Sequence, residues 1–146
     1  MIDFNVVNIR PANKSDYGFI LKSISVEFHK LNPTNQISNE LFFPKQKKII
    51  DSLLNKCGAT ILHITDEPDT IVGFIICEPL DQDTIIVHYS AVKGIFRRMG
   101  FFNNLLESVN GLNKIIVYTH DFHLLSQFKK KYQLIYNPYL LQDHNG

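Results

Sequence analysis

The residues best suited to chemistry lie close together between Tyr89 and Leu106, in the run YSAVKGIFRRMGFFNNLL. A β-like segment there passes into a loop carrying Arg97, Arg98 and Gly100. Phe101, Leu105, Leu106 and Val109 follow, spaced for one face of a helix. Such a junction favours an anion. The first N–H groups of a helix have no partner within it, the helix dipole puts its positive end there, and two guanidinium groups add charge-assisted contacts. Gly100 would let the backbone approach a phosphate or pyrophosphate closely. In the segment before the loop, His88 is a candidate proton acceptor, since an imidazole of pKa about 6.5 exchanges protons at neutral pH. Strict alternation predicts that Ile86, His88 and Ser90 share one face of that strand and Val87, Tyr89 and Ala91 the other. Glu78, ending the preceding β-like run, is a second candidate base, working through a water.

Periodicity and breakers predict the elements that position these residues. Val6 to Arg10 reads as a short strand stopped by Pro11, and apolar residues at Tyr17, Ile20, Leu21, Ile24, Phe28 and Leu31 then mark a helix. Asn32 to Asn39 reads as a loop. A second helix from about Pro44 would bury Ile49, Ile50, Leu53 and Leu54 and stop at Gly58. Three β-like runs follow between Ala59 and Ala91, separated by turn signals at 66–69 and 79–82, and should form consecutive antiparallel strands. The helix after Gly100 ends at Asn110-Gly111, Lys114 to Tyr118 is an apolar strand, and His120 to Tyr132 an amphipathic helix. The tail QLIYNPYLLQ reads as strand broken at Asn137-Pro138. The order is β-α-α-β-β-β-α-β-α-β, an α/β (α+β) arrangement.

Composition bounds the function. The chain has 146 residues, 45% of them hydrophobic, and 15 Lys+Arg stand against 14 Asp+Glu. These values fit a single domain over residues 1–146, too apolar to be disordered and too evenly charged for general nucleic-acid binding. No apolar run approaches the roughly 20 residues needed to span a bilayer, and no secretory pattern opens the chain, so the expected location is the cytoplasm. Cys57 and Cys77 then read as buried free thiols. His63, His120 and His123 lack companions at zinc-ligand spacing, and no metal is expected. The lysines at 45, 47, 48 and 129–131 read as solvated helix faces.

The segment around the loop resembles the acetyl-coenzyme-A signature of the GNAT superfamily of N-acetyltransferases, V-x-x-x-x-R/Q-x-x-G-x-G/A. Val92, Arg97 and Gly100 match it in register, Phe96 fills the aromatic place before the arginine, and Leu105 and Leu106 match the apolar pair of the next helix. The IRPAN opening and the element order extend the resemblance over nearly the whole chain. The resemblance implies a GNAT fold, a mixed and mostly antiparallel sheet flanked by helices. It implies acetyl-coenzyme A (acetyl-CoA) in a gap between the fourth and fifth strands. Ala91 and Val92 would then hold the thioester and pantetheine arm, and the backbone of Arg97, Arg98, Met99, Gly100, Phe101 and Phe102 the pyrophosphate.

The activity implied is transfer of an acetyl group to a primary amine of a small molecule or protein, with the acceptor pocket formed by the first two helices and the Asn32 to Phe43 loop. His88 stands at the offset from the motif valine where arylalkylamine acetyltransferases carry a histidine, which makes it the catalytic base. Tyr132 is the candidate acid for the leaving thiolate. The sequence departs from the family in three places. Phe102 replaces the last Gly or Ala of the motif, Gly94 replaces a frequent Pro, and Phe128 stands where a catalytic Tyr is usual. The alternative these departures suggest is a catalytically silent GNAT-like binding or assembly protein, similar to small proteins encoded by tailed bacteriophages. A homodimer is compatible with either reading.

Overall fold

The computed structural model describes residues 7–29, 36–96, 100–119 and 132–140. Six strands form one sheet in sequence order: β1 (Val7–Pro11), β2 (Thr60–Ile64), β3 (Glu67–Pro79), β4 (Thr84–Val92), β5 (Ile115–Tyr118) and β6 (Leu134–Tyr136). β1 to β4 pair antiparallel, while β4–β5 and β5–β6 are parallel. Among the described residues the longer helices are α1 (Lys14–His29), α2 (Asn39–Cys57) and α3 (Phe101–Ser108). This is the expected mixed sheet flanked by helices. The helix expected over His120 to Tyr132 lies outside the described residues, apart from Tyr132 itself. No described helix is long and apolar enough to cross a membrane.

The start of α1 is fixed by its own sequence. Asn13 Oδ1 accepts the Ser15 N–H and Asp16 Oδ2 accepts the Asn13 N–H, a reciprocal cap at the first turn. Arg10 on β1 grips both Asp16 oxygens at 2.7 and 3.0 Å and donates to the Pro68 carbonyl, so β1, α1 and the start of β3 are tied at one residue. This pairing holds the Asp16 carboxyl below its ordinary range.

Helix α2 begins five residues before the expected Pro44. Ser38 occupies the cap position with extended backbone, and its carbonyl accepts the Leu41 and Phe42 N–H groups. Pro44 therefore sits in the second turn of the helix, where its missing N–H removes the ladder bond that would go to the Glu40 carbonyl. Strand β3 begins at Glu67 rather than after the turn signal, and its pairing with β2 is irregular around His63.

Two apolar layers cover the sheet. On one face Ile20, Ile24, Ile50, Leu53 and Leu54 of α1 and α2 pack on Ile61, Phe74, Ile76 and Tyr89. On the other, Phe101, Phe102, Leu105 and Leu106 of α3 pack on Leu62, Ile75, Ile85, Val87 and Ile116. α3 stops where expected: the Gly111 N–H returns to the Leu106 carbonyl at 2.7 Å, and Asn110 adopts positive φ.

Candidate active site

The β3–β4 ladder skips one residue. Ile76 faces Tyr89 and Cys77 faces Val87, so His88 is the extra residue of a β-bulge. The bulge corrects the expected alternation. Ile85 and Val87 pack toward α3, but Tyr89 and Ala91 pack toward α1 and α2. Ser90 lies opposite Ile75 of the α3 layer, so it does not share a face with His88. His88 and Tyr89 in succession face α2.

The bulge lies where β4 leaves β5. Their parallel pairing runs from Thr84–Ile115 to Val87–Tyr118, and the Thr119 N–H still reaches the Val87 carbonyl at 3.3 Å. β4 continues to Val92 along β3, and the Lys93 N–H closes on the Val72 carbonyl at 2.8 Å. Among the described residues the β4–β5 pairing thus ends at Val87 and Tyr118, while β4 runs on beside β3.

His88 is fully buried at this divergence. Its Nδ1 lies 3.0 Å from Thr119 Oγ1, just beyond β5, and its Nε2 3.7 Å from Glu78 Oε1. Glu78 Oε2 accepts the Cys57 thiol proton at 3.0 Å from the last turn of α2. Both candidate bases therefore meet, joined by Cys57 and Thr119, which the sequence reading did not associate with them. Burial, and then the Glu78 carboxylate, push the Cys57 thiol up to about 12. Burial pushes Cys77 up to about 11. Beside His88, buried Gln46 of α2 donates to the Tyr89 hydroxyl at 2.8 Å, fixing α2 over the bulge.

Beyond β4 a 3-10 turn at Gly94–Phe96 leads toward α3, closed by the Phe96 N–H on the Lys93 carbonyl. The half-buried Phe96 meets Phe101 edge to face, with ring centroids 6.1 Å apart. Arg97, Arg98 and Met99 lie outside the described residues. Gly100 caps α3 with φ +82°, a left-handed conformation that costs other residue types about 1–2 kcal/mol. The cap, a glycine, offers no side-chain hydrogen bond to the first turn.

Phe102 points into the α3 core and is 2% exposed. Val92 is likewise a core side chain, and Ala91 is half-buried on the α1–α2 side. Tyr132 is committed to α3: its ring lies edge-on to Phe102, and its hydroxyl donates to Asn103 Oδ1 at 2.8 Å. Phe128 lies outside the described residues.

A groove of about 580 Å³ runs between α1 and α2, lined by Gly18, Leu21, Lys22, Ser25, Phe43, Pro44 and Lys47. It occupies the two helices expected to build an acceptor pocket.

No protein-family model and no curated protein sequence matches the chain. Among solved structures, a possible acetyltransferase from Clostridium difficile 630 aligns over 90% of this chain and 94% of its own, at 19% identity and TM-score 0.58. A GNAT family acetyltransferase from Brucella melitensis, solved in complex with acetyl-CoA, aligns over 84% of this chain and 80% of its own, at 16% identity and TM-score 0.52. The chain therefore has the fold of the GNAT acetyltransferases.

Proposed function

We propose that the protein transfers an acetyl group from acetyl-CoA to a primary amine of a small molecule or protein. The observation that carries this reading is the parting of β4 from β5 at Val87, with His88 and Glu78 at the divergence and the Gly100 cap of α3 beyond it. The fit to a coenzyme is favourable in two respects. The start of α3 carries a glycine, which places no side chain over the helix N-terminus, and the Phe102 ring is withdrawn into the core.

Acetyl-CoA supplies the acetyl group as an activated thioester. Ala91 and Val92 would orient the acyl end along β4, and Arg97, Arg98, Met99, Gly100, Phe101 and Phe102 would hold the pyrophosphate through backbone N–H groups and the two guanidinium charges. The acceptor must be a neutral amine. Its proton passes to the His88–Glu78 pair, reached through Glu78, whose side chain keeps 14% exposure while His88 lies behind it. Thr119 fixes the imidazole so that Nε2 faces Glu78. Tyr132, engaged with Asn103, is a weak proton donor to the leaving thiolate, and solvent serves that step.

Calorimetry with acetyl-CoA and with free coenzyme A tests the reading on the wild type, Arg97→Ala and Gly100→Phe. Micromolar binding in the wild type, lost in both variants, supports it; no heat in the wild type overturns it. Mass spectrometry of amine libraries should then show the mass of one added acetyl group, with a rate lowered about 10² to 10⁴-fold in His88→Ala. Coenzyme binding with no acetylated product would favour the silent binding protein instead.

A further inference from the structure

We infer that Cys57, Glu78 and His88 form a binding site for a zinc ion. Among the described residues this is the one group of three potential ligands, a thiol sulfur, a carboxylate oxygen and an imidazole nitrogen, all within 4.8 Å of one another. They come from three elements: the last turn of α2, the end of β3 and the bulge of β4. Zinc bonds of about 2.0–2.3 Å set the atoms of a tetrahedral ligand pair about 3.5 Å apart. Cys57 Sγ lies 3.0 Å from Glu78 Oε2 and His88 Nε2 3.7 Å from Glu78 Oε1, so each outer ligand meets its own carboxylate oxygen, and one atom from each of the three residues lies within 4.8 Å of the others.

The surroundings have the form of a metal centre as well. A ligating histidine turns its second ring nitrogen to an oxygen that fixes its orientation, and Thr119 Oγ1 stands 3.0 Å from His88 Nδ1. With Nδ1–H donated to Thr119, the Nε2 lone pair is turned to the side of the Glu78 carboxylate, so nitrogen and oxygen donors can converge on one ion. Thiolate with imidazole and one carboxylate suits zinc rather than magnesium or calcium, which take oxygen donors. Three protein ligands leave a fourth position for water, and the half-exposed Cys57 provides a way in. The bulge leaves His88 on the side of Ile86 and Glu78, where α2 ends, and turns Tyr89 to the same side.

The test uses untagged full-length protein freed of metal by a chelator. Titration with Co²⁺ should give a thiolate-to-cobalt charge-transfer band that saturates at one equivalent and is displaced by Zn²⁺. In the wild type, labelled for long enough that Cys57 of the metal-free protein reacts, Zn²⁺ should protect Cys57 but not Cys77 from alkylation, read by peptide mass spectrometry. Thr119→Val keeps all three ligands and should bind about 10 to 100-fold more weakly. Absence of the band, its survival in Cys57→Ala, or equal alkylation of the two cysteines with and without Zn²⁺ overturns the assignment. The protection assay needs no variant, so a substitution that fails to fold leaves it decisive. Neither readout involves acetyl transfer, so this site and the proposed reaction stand or fall separately. If both hold, zinc occupies the proton-accepting pair and acetylation falls as the site fills.

Discussion

His88 on β4 is clasped by Thr119 from beyond the end of β5, Nδ1 to Oγ1 at 3.0 Å, at the point where the two strands diverge. The contact joins the sheet across its opening. Thr119 is 2% exposed and His88 is fully buried, so removing the hydroxyl withdraws a hydrogen bond that water cannot easily replace.

Thr119→Val should therefore lower stability by about 1–3 kcal/mol, while Thr119→Ser stays close to wild type. Urea denaturation of the three proteins measures it. Under the proposed reaction the valine variant also loses turnover, because the imidazole is no longer held toward Glu78. An unchanged rate in a folded Thr119→Val protein would argue against His88 as proton acceptor.

Phe102 is a core residue at the position where the GNAT motif it resembles carries a small one. Replacing it with Ala, as the family motif would have it, should cost about 3–5 kcal/mol through the cavity left among Leu105, Leu106 and Tyr132. Coenzyme affinity should not rise. A tighter-binding Phe102→Ala protein would show instead that the ring obstructs the cofactor.

Gly73 on β3 has no room for a side chain. A Cβ there would sit 2.6 Å from the Ala91 carbonyl oxygen and 3.3 Å from the Val92 Cα, both backbone atoms of β4. Gly73→Ala should destabilise by about 1–3 kcal/mol and, by pushing the far half of β4 outward, weaken coenzyme binding along with it. Denaturation and calorimetry on the same preparation check both effects.

Acid stability should depend on Asp16. Its folded pKa is lowered, first by the hydrogen bonds from Arg10, with the Asn13 N–H adding to the effect. Below its unfolded pKa of about 3.9 the unfolded chain binds the proton more readily than the folded one. The stabilisation is therefore complete above that pH and is lost as pH falls through the lower folded value. Asp16→Asn should remove this part of the acid limb of a stability-against-pH curve, measured by denaturation from pH 6 downward in steps.

Cys57 should alkylate slowly at neutral pH in metal-free protein, since its thiol is held near 12 and little thiolate is present. Denaturing the protein should restore the rate of an ordinary cysteine. Time-resolved labelling with iodoacetamide separates the two conditions.

Much of the fold was legible from local signals: Gly58 and Asn110-Gly111 end their helices, the apolar runs of β3 to β5 are strands, and the motif around Gly100 sits between strand and helix. The start of α2 was not, because Pro44 reads as a boundary when its neighbours are unknown, whereas the Ser38 carbonyl opens the helix before it. Tyr132 was read for its hydroxyl, but packing gave that group to Asn103. The site was half legible. His88 and Glu78 were singled out by type, yet alternation placed Ser90 beside His88, since a bulge leaves no local mark in a run of β-formers. Cys57, 31 residues before His88 in the sequence, could be brought to it only by the α2 crossing that long-range packing sets.

The bulge at residue 88 also means that β4 is one residue too long for its partner. Strands of this kind compared position by position from their first residue agree in facing up to Val87 and disagree from Tyr89 onward, so a single gap decides which side chains count as equivalent. Deleting His88 is thus a different experiment from replacing it. The shortened strand could pair with β3 in unbroken register, Val87 next to Tyr89 would again alternate, and the opening beside β5 would lose the irregularity that starts it.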